Sequence, residues 1–278
     1  MYWFFYVCNL GLLYMSQMYD QRFGGVKRLY GGKGAEAVKE MHVCVVGIGG
    51  VGSWAAEALA RTGVNRITLI DHDDICETNV NRQIHALDNT ISLSKVEVMA
   101  ERIKAINPDC KVNAIDDFIT ETTLSKYLNS HFDYVIDAID SIRFKAAMIY
   151  YCKRNKIPVI TTGGAGGLTD PTQITVKDLS KTVNDPLAAK VRSTLRREFG
   201  FTKNIKRSFG VECVFSAQQQ VYPKPDGSVS QDKPGVKGVS LDCSMGFGAS
   251  SCVTSVFGFV AVARVIEKML AKKFMKQD

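Results

Sequence analysis

The fold is decided by residues 43–83, VCVVGIGGVGSWAAEALARTGVNRITLIDHDDICETNVNRQ. This stretch holds an apolar run, a glycine turn built on Gly47, Gly49 and Gly52, and a second apolar run that ends at Asp71. Glycines in this pattern let the backbone approach a phosphate at a helix N-terminus, and an acid about 20 residues further on can bind ribose hydroxyls. The stretch therefore predicts a strand, a helix and a second strand that together bind a nucleotide.

The positive charges that follow Asp71 indicate which nucleotide is bound. Arg82 lies shortly after this acid, and Lys95 lies on the next predicted helix. A nicotinamide cofactor would need room for a second, neutral half, whereas two cations suit a nucleoside triphosphate. A glycine turn standing alone could also be a tight strand-to-helix connection without a ligand, and the flanking strand and acid argue against that alternative.

Beyond this unit the sequence alternates between predicted strands and predicted helices. This alternation predicts an α/β fold with a Rossmann-like, doubly wound, mostly parallel sheet and a C-terminal extension that includes a long apolar helix. Asp185 is the predicted N-cap of the last helix before that extension, and Pro108 ends an earlier one. Ligands of such sheets lie beyond the carboxyl ends of the strands, where Gly47, Asp71 and Asp140 are expected. The predicted strands are 43–47, 66–71, 111–115, 134–139, 158–162 and 172–176, and the predicted helices are 51–62, 94–106, 120–128, 143–155 and 185–199.

Several segments carry a resemblance to a known family. In order and spacing, roughly residues 20–180 resemble the adenylation fold of ubiquitin-activating enzymes and of the bacterial activators of molybdopterin and thiamine sulfur carriers. Within that superfamily the chain resembles the tRNA threonylcarbamoyladenosine dehydratases, almost to its C-terminus. The first resemblance is carried by 47–52, 69–73, 79–83, Lys95 and 137–140, and the second by 22–25, 52–57, 81–87, 161–167, 185–190, 213–216 and 246–249.

The resemblance implies a set of nucleotide-binding residues. Arg82 and Lys95 would neutralise the charge that builds on the α-phosphate and pyrophosphate, and Asn79 would orient Arg82 or contact a phosphate. Asp140 would hold Mg²⁺, a hard cation that prefers carboxylate and phosphate oxygens. Arg22 resembles an arginine that relatives donate across a dimer interface, and its alternative is a surface arginine on an N-terminal helix. Gly47, Gly49, Gly52, Asp71 and Asp73 complete the expected nucleotide site.

The cysteines bear on metal binding, catalysis and compartment. The chain has eight cysteines and no CxxC pair among them, whereas sulfur-carrier activators often hold a structural zinc with two such pairs, so we predict no zinc. Scattered cysteines without secretory features indicate a cytoplasmic protein with reduced thiols. Cys243 precedes the predicted apolar helix and could lie near the nucleotide as a catalytic thiol, the alternative being a buried, inert one.

A basic segment at 177–210 is interpreted as a tRNA-facing insert. Residues 177–208 contain nine lysines and arginines against three acids, a local net charge of +6 in a chain whose formal charge is +7. A solvated helix face is the ordinary explanation of such a run, while its concentration beside an adenylation site favours contact with a phosphate backbone. The tRNA contacts predicted in this insert are Lys190, Arg192, Arg196, Arg197, Lys203, Lys206 and Arg207.

Two apolar segments bear on domain organisation and on membranes. We expect residues 1–18 to be an extension outside the core, because the resemblance begins only near Tyr19, and residues 19–278 to form a single adenylation domain. Residues 243–263 carry no charge over a length that would just span a bilayer. The glycines, serines and threonines of this segment favour a buried helix in a large domain or dimer. Membrane association is the alternative.

Taken with the residues, the resemblance implies ATP-dependent dehydration, that is cyclisation, of N6-threonylcarbamoyladenosine in tRNA by a homodimer. The nucleoside carboxylate would attack ATP to form an acyl-adenylate, and the ureido group would then close a ring. The alternative is an adenylating activator of a small sulfur-carrier or ubiquitin-like protein, which the missing zinc pairs disfavour. A non-catalytic nucleotide sensor is disfavoured by Arg82, Lys95 and Asp140. The sequence leaves open whether AMP or ADP is released and whether sulfur-transfer proteins are partners.

Overall fold

The computed structural model describes the backbone of residues 2–129, 131–232 and 248–274, and within these ranges the side chains from residue 18 onward. The first helix is interrupted by non-helical backbone angles at Phe23 and Gly31. The helices are α1 (Tyr2–Glu40), α2 (Gly52–Arg61), α3 (Lys95–Ile106), α4 (Leu124–Tyr127), α5 (Ile142–Arg154), α6 (Pro186–Glu198) and α7 (Ser251–Phe274). The strands are β1 (His42–Val46), β2 (Arg66–Asp71), β3 (Lys111–Asp116), β4 (Tyr134–Asp137), β5 (Val159–Thr162), β6 (Ile174–Asp178), β7 (Glu212–Ser216), β8 (Tyr222–Pro223) and β9 (Val229–Ser230).

Strands β1 to β7 form one sheet in the order β3-β2-β1-β4-β5-β7-β6. Every neighbouring pair is parallel except β6 and β7, which are antiparallel. The chain runs outward from β1 to β3 and then crosses back to β4, so the strand order reverses between β1 and β4. The predicted α/β fold with a mostly parallel sheet is confirmed, and the reversal marks the crevice where such sheets bind ligands.

Helices cover both faces of the sheet and give it two apolar layers. Helices α2, α3 and α7 pack on one face together with Val43 and Val45 of β1, while α5 and α6 pack on the other with Cys44 and Val46. Strand β1 is therefore apolar at every position from Val43 to Val46, as a parallel strand buried on both sides must be.

Helix ends lie where capping chemistry puts them. A side-chain oxygen of Asp185 accepts a hydrogen bond from the backbone N–H of Ala188 at 2.8 Å, with Pro186 as the first helical residue of α6. Helix α3 ends at Ile106, just before Pro108, as predicted.

The structure differs from the sequence prediction in several elements. The helix predicted at 120–128 shrinks to the four residues of α4, because a turn held by the hydroxyls of Thr120 and Thr123 precedes it. Strand β7 and the short hairpin of β8 and β9 were not predicted, since such short runs carry little periodicity. The backbone of residues 2–18 is part of α1, and the assignment of residues 1–18 to an extension outside the core stays a prediction.

The prediction of a long apolar helix at 243–263 is wrong. Residues 243–247 lie outside the described residues, and α7 begins only at Ser251 and continues through Arg264 to charged residues near its end. Its buried face, which includes Val253, Phe257 and Ala261, packs on α2 and the sheet. The helix is therefore amphipathic. Within the described ranges, the chain has no helix with the length and apolarity needed to cross a bilayer.

Candidate active site

Three loops meet at the carboxyl edge of the sheet, beside the reversal of strand order. The glycine turn follows β1, residues 72–94 follow β2, and residues 138–141 follow β4. The first and third loops are in close contact, because a Cβ added to Gly47 would lie 2.9 Å from the backbone of Ala138. The sequence predictions for Gly47, Asp71 and Asp140 therefore fall on loops at one edge of the sheet.

Two positions of the glycine turn, Gly47 and Gly52, require glycine. Gly47 has φ of +86°, in the left-handed region that side chains disfavour. A Cβ at Gly52 would lie 1.7 Å from the carbonyl oxygen of Gly47, so no side chain fits there. Helix α2 begins at Gly52, and the positive end of its dipole therefore lies at the turn, where it favours an anion.

Asp71 is anchored to the glycine turn by its carboxylate. Its Oδ2 accepts a hydrogen bond from the backbone N–H of Ile48 at 2.5 Å, and its Oδ1 accepts one from the backbone N–H of Asp73 at 3.0 Å. Each carboxylate oxygen can accept more than one hydrogen bond, so the partly exposed Asp71 can still accept from ribose hydroxyls.

Lys95 is a buried cation at the start of α3. Its side chain is only 7% exposed, and its Nζ donates a hydrogen bond to Oδ2 of Asp73 at 2.7 Å. The backbone N–H of Lys95 also donates to the carbonyl oxygen of Asp73, at 3.1 Å. The structure therefore brings together two of the residues predicted to bind the nucleotide. An ammonium has three donors, so Lys95 can bind a phosphate while it keeps Asp73.

Arg82 is positioned by its own segment. Its Nη1 donates to the carbonyl oxygen of Thr78 at 2.6 Å and to Oδ1 of Asn81 at 3.1 Å. The side chain of Asn79 instead accepts from the backbone N–H of Cys76, while the carbonyl of Asn79 accepts from the backbone N–H of Arg82 at 3.0 Å. Asn79 therefore orients Arg82 through the backbone, and its buried side chain serves the turn itself.

Asp140 is exposed, and in the described part of the chain its carboxylate has no hydrogen-bond or ion-pair partner. An unengaged carboxylate at the carboxyl edge of the sheet fits Mg²⁺, which binds through carboxylate and phosphate oxygens.

A buried ion pair beneath Asp140 was missed by the sequence analysis. Nζ of Lys145, on α5, donates to Oδ1 of Asp137 at 2.9 Å and to the carbonyl oxygen of Ile139 at 2.8 Å. Burial raises the pKa of Asp137, and the Lys145 ammonium and the Thr161 hydroxyl act against that rise. A sequence signal exists, because Lys145 shares the helical stripe of the apolar residues Met148, Ile149 and Cys152.

Gln83 and His85 are buried near the site and carry polar atoms without partners. Oε1 of Gln83 and both ring nitrogens of His85 lack hydrogen bonds within the described ranges. Burial, reinforced by the positive charges of Lys95 and Arg102, lowers the pKa of His85 to about 4. His85 is therefore a neutral imidazole at neutral pH. Both residues stand in the motif 81–87, where nothing in the sequence shows that they are buried.

Two predicted residues are not placed with these loops. Arg22 is exposed, and its Nη1 donates to the carbonyl oxygen of Ile106 at 3.1 Å, at the opposite end of α3 from Lys95. Cys243 lies outside the described residues, so its catalytic role stays a prediction.

The basic residues predicted to contact tRNA fall into two groups, one that makes contacts within the insert and one that is exposed. Arg192 donates to the hydroxyl of Thr182, and the guanidinium of Arg196 lies over the ring of Phe209 at 5.4 Å from its centroid. These two arginines, predicted to contact tRNA, therefore contact the insert itself. The exposed set is Lys190, Arg197, Lys203, Lys206 and Arg207.

Comparison with known proteins places the chain in a family. The model of the ThiF family matches residues 23–277. The tRNA threonylcarbamoyladenosine dehydratase of Escherichia coli is 58% identical over 259 residues, which are 93% of this chain and 97% of the relative. Molybdopterin-synthase adenylyltransferase of Haemophilus influenzae is 31% identical over 155 residues, 53% of this chain and 63% of the relative.

Solved structures agree with this placement. Crystal structures of the E. coli tRNA N6-threonylcarbamoyladenosine dehydratase in complex with ATP and with AMP each have a TM-score of 0.82, at 55% and 56% identity. They match 92% and 91% of this chain and 96% of their own. The chain belongs to the ThiF family and, within it, to the tRNA threonylcarbamoyladenosine dehydratases.

Proposed function

We propose that the protein catalyses the ATP-dependent dehydration of N6-threonylcarbamoyladenosine in tRNA through an acyl-adenylate. The observation that carries this proposal is the 58% identity to an E. coli dehydratase over 93% of the chain. A match of that length takes in the nucleotide site and the basic insert together, whereas the match to the molybdopterin-synthase adenylyltransferase takes in about half of the chain.

The site residues supply what adenylation needs. The nucleoside carboxylate attacks the α-phosphorus of ATP, a phosphorus–oxygen bond forms, and the bond to pyrophosphate breaks. The negative charge that develops on the leaving pyrophosphate is stabilised by Lys95 and Arg82 and by the N-terminus of α2. Asp71 holds the ribose so that the α-phosphate faces the incoming carboxylate.

The second step closes the ring. A nitrogen of the ureido group attacks the activated acyl carbon and gives up its proton, and AMP leaves with the oxygen that the carboxylate gives up. Because the nucleophile and the electrophile belong to one nucleoside, the effective molarity is high. No covalent enzyme intermediate is needed, so the proposal does not depend on Cys243.

In this proposal, Mg²⁺ and tRNA are bound by different residues. Asp140 would hold Mg²⁺, which when bound supplies charge neutralisation at the phosphates. Lys190 and Arg197 lie seven residues apart on α6, so both are on its exposed face, and the exposed basic residues of the loop 203–207 follow it. A surface of this kind fits a phosphate backbone. We place this reaction in the cytoplasm, where scattered cysteines without CxxC pairs are kept as reduced thiols.

Product analysis with two candidate substrates tests the function. The protein, ATP and Mg²⁺ are incubated with tRNA that carries N6-threonylcarbamoyladenosine, and the nucleosides are analysed by mass spectrometry. We expect loss of one water from that nucleoside, with AMP and pyrophosphate as products. Unmodified tRNA and the Lys95→Ala variant are the controls. Release of ADP in place of AMP would exclude the acyl-adenylate, and an unchanged nucleoside would exclude the function.

The second candidate is activation of a small carrier protein. It is favoured by the 31% identity to a molybdopterin-synthase adenylyltransferase over 155 residues, a length that can hold the adenylation site. A parallel incubation with ATP and small sulfur-carrier or ubiquitin-like proteins would then give an adenylate on the C-terminus of the carrier, and sulfur-transfer proteins would become partners. Exchange of label between pyrophosphate and ATP that requires a carrier, and not the modified tRNA, would favour this candidate.

A further inference from the structure

The ion pair of Lys145 and Asp137 lies directly beneath the loop 138–141. The Lys145 ammonium connects three acceptors, since besides Oδ1 of Asp137 and the carbonyl of Ile139 it reaches the carbonyl oxygen of Asp137 at 3.3 Å. On the far side of the carboxylate, the hydroxyl of Thr161 donates to Oδ2 of Asp137 at 2.6 Å. One buried cation therefore ties the end of β4 to the residue that precedes Asp140.

The same loop also forms one wall of the glycine turn. A Cβ on Gly47 would lie 2.9 Å from the backbone of Ala138 and 3.0 Å from Cγ2 of Ile139. A movement of this loop would thus change both the direction of the Asp140 carboxylate and the space beside Gly47. Its position matters, because a shift of about 1 Å in a reacting arrangement can cost about 100-fold in rate.

Packing alone does not require a lysine at this position. Lys145 is 1% exposed and Asp137 is fully buried, so both charges are removed from water. A buried ion pair is often no more stabilising than apolar residues of the same volume, because desolvation opposes the Coulombic attraction. The pair is therefore better explained by the conformation that it imposes on the loop than by a contribution to stability.

We propose that Lys145 is a positioning residue for adenylation, whose ammonium fixes the loop 138–141 so that Asp140 and the glycine turn face the nucleotide phosphates together. This inference rests on the proposed function, since it assigns a role within the ATP-dependent step. Lys145 itself does not contact the substrate. It acts through the carbonyl oxygens of Asp137 and Ile139.

A charge-balanced double variant tests this role. Asp137→Asn combined with Lys145→Met removes both charges at once, so that no unpaired charge stays buried, and it retains an acceptor for Thr161. The matched control is Glu212→Gln with Arg264→Met, a bidentate pair with distances of 2.6 and 3.0 Å at the amino end of β7, the opposite edge of the sheet. Thermal unfolding of the full-length proteins identifies a temperature at which wild type and both variants are folded.

At that temperature we measure kcat and the KM for ATP with modified tRNA. We expect the Asp137→Asn, Lys145→Met variant to lose about 100-fold in kcat while the control keeps kcat within about twofold of wild type. A folded double variant with wild-type kcat would overturn the inference. Failure of the wild type itself to modify tRNA would instead reject the proposed function, so the two failures are distinct.

Thr161→Val is the milder variant, and it decides the outcome if the double variant does not fold. It removes one hydrogen bond from the same carboxylate and keeps a β-branched side chain in β5. We expect kcat to fall at least threefold, and the Mg²⁺ concentration that gives half-maximal rate to rise. Wild-type values for both quantities would overturn the inference.

Discussion

Lys95 is a charged residue of the predicted nucleotide site whose side chain is almost fully buried. Its side chain is 7% exposed, and the side chain of Asp73, its counter-ion, is about half exposed. A bound phosphate would therefore share the ammonium with a partly solvated carboxylate. In water-excluded surroundings, a cation aimed at developing negative charge stabilises the transition state more than the ground state.

Lys95→Ala should therefore reduce kcat by at least about 100-fold, which is about 3 kcal/mol of transition-state stabilisation, and Asp140→Ala should do the same if its carboxylate holds Mg²⁺. Steady-state rates at saturating ATP and modified tRNA measure both effects. Lys104→Ala is the matched control, because this lysine is exposed on the same helix. Wild-type kcat in Lys95→Ala would contradict the assigned role.

His85 makes the stability of the folded chain depend on pH. Its pKa in the folded chain is about 4, below the value of 6.5 expected in the unfolded chain. Between these pH values the unfolded chain binds more protons, so the free energy of unfolding decreases as the pH falls. The full contribution of neutral His85 to the free energy of unfolding is present above about pH 6.5 and is on the order of 3 kcal/mol.

His85→Gln should therefore flatten the dependence of the free energy of unfolding on pH between about 4 and 6.5. Urea unfolding at a series of pH values measures this slope. A residual slope is expected from His42, whose pKa is also lowered by burial. A variant with the same slope as wild type would show that His85 is not the titrating group.

At the scale of elements, the basic insert combines a rigid base with an exposed surface. The Asp178 carboxylate, at the end of β6, accepts hydrogen bonds from the backbone N–H groups of Phe209, Gly210 and Val211. These bonds hold the loop 199–210 where the chain enters β7. The lysines and arginines of the loop and of α6 therefore project from a fixed support, which suits recognition of a structured RNA.

Changing Lys190, Lys203 and Lys206 together to Glu should weaken tRNA binding and lower the log–log slope of affinity against salt by about three, because each lysine would no longer neutralise one phosphate. These lysines are exposed, whereas Arg192 and Arg196 support the insert and would confound the experiment. Titrations at several salt concentrations measure the slope, and ATP binding should be unchanged.

The control for this experiment changes three exposed lysines elsewhere to Glu, at positions 104, 111 and 272. Its net charge is the same as that of the test variant, so it separates a local effect from a general electrostatic one. If both triple variants bind tRNA equally weakly, the insert is not the tRNA-binding surface.

Strand ends could be predicted from the sequence where chemistry and periodicity agree. Strand β2 was predicted without error, and the helix cap at Asp185 was predicted because its residue type and Pro186 both mark a helix start. Lys145 was missed because a lysine on a helix is normally exposed, and its burial depends on Asp137, a partner from another element. Gln83 and His85 belong to the same class, since burial is decided by packing from distant parts of the chain.

At the scale of the whole molecule, cysteine placement bears on metal content. Within the described residues, the one group of side chains spaced to share a metal ion is Asp71, His72 and Asp73, which contains no cysteine. Zinc held structurally normally has four ligands that include cysteines. We expect elemental analysis of the purified protein to give well under one zinc per chain. Stoichiometric zinc whose removal by a chelator also unfolds the protein would contradict this prediction.

The position of Arg22 bears on assembly. Arg22 contacts Ile106 at the last residue of α3, while Lys95 is the first residue of the same helix. At about 1.5 Å of rise per residue, these ends are about 16 Å apart, which places Arg22 far from phosphates bound at Lys95 of its own chain. If Arg22 serves catalysis, it must serve the site of a second copy, as in a two-fold dimer.

Mixing two inactive variants tests this arrangement. Arg22→Ala and Lys95→Ala should each be inactive alone. Heterodimers formed after mild dissociation and remixing should contain one site with an intact Lys95 and an intact Arg22 from the partner. Random pairing makes half of the dimers mixed, so activity should return to about a quarter of wild type. If Arg22 acted within its own chain, no mixture would contain a complete site. Absence of recovery, with heterodimers verified by native mass spectrometry, would therefore exclude donation across the interface.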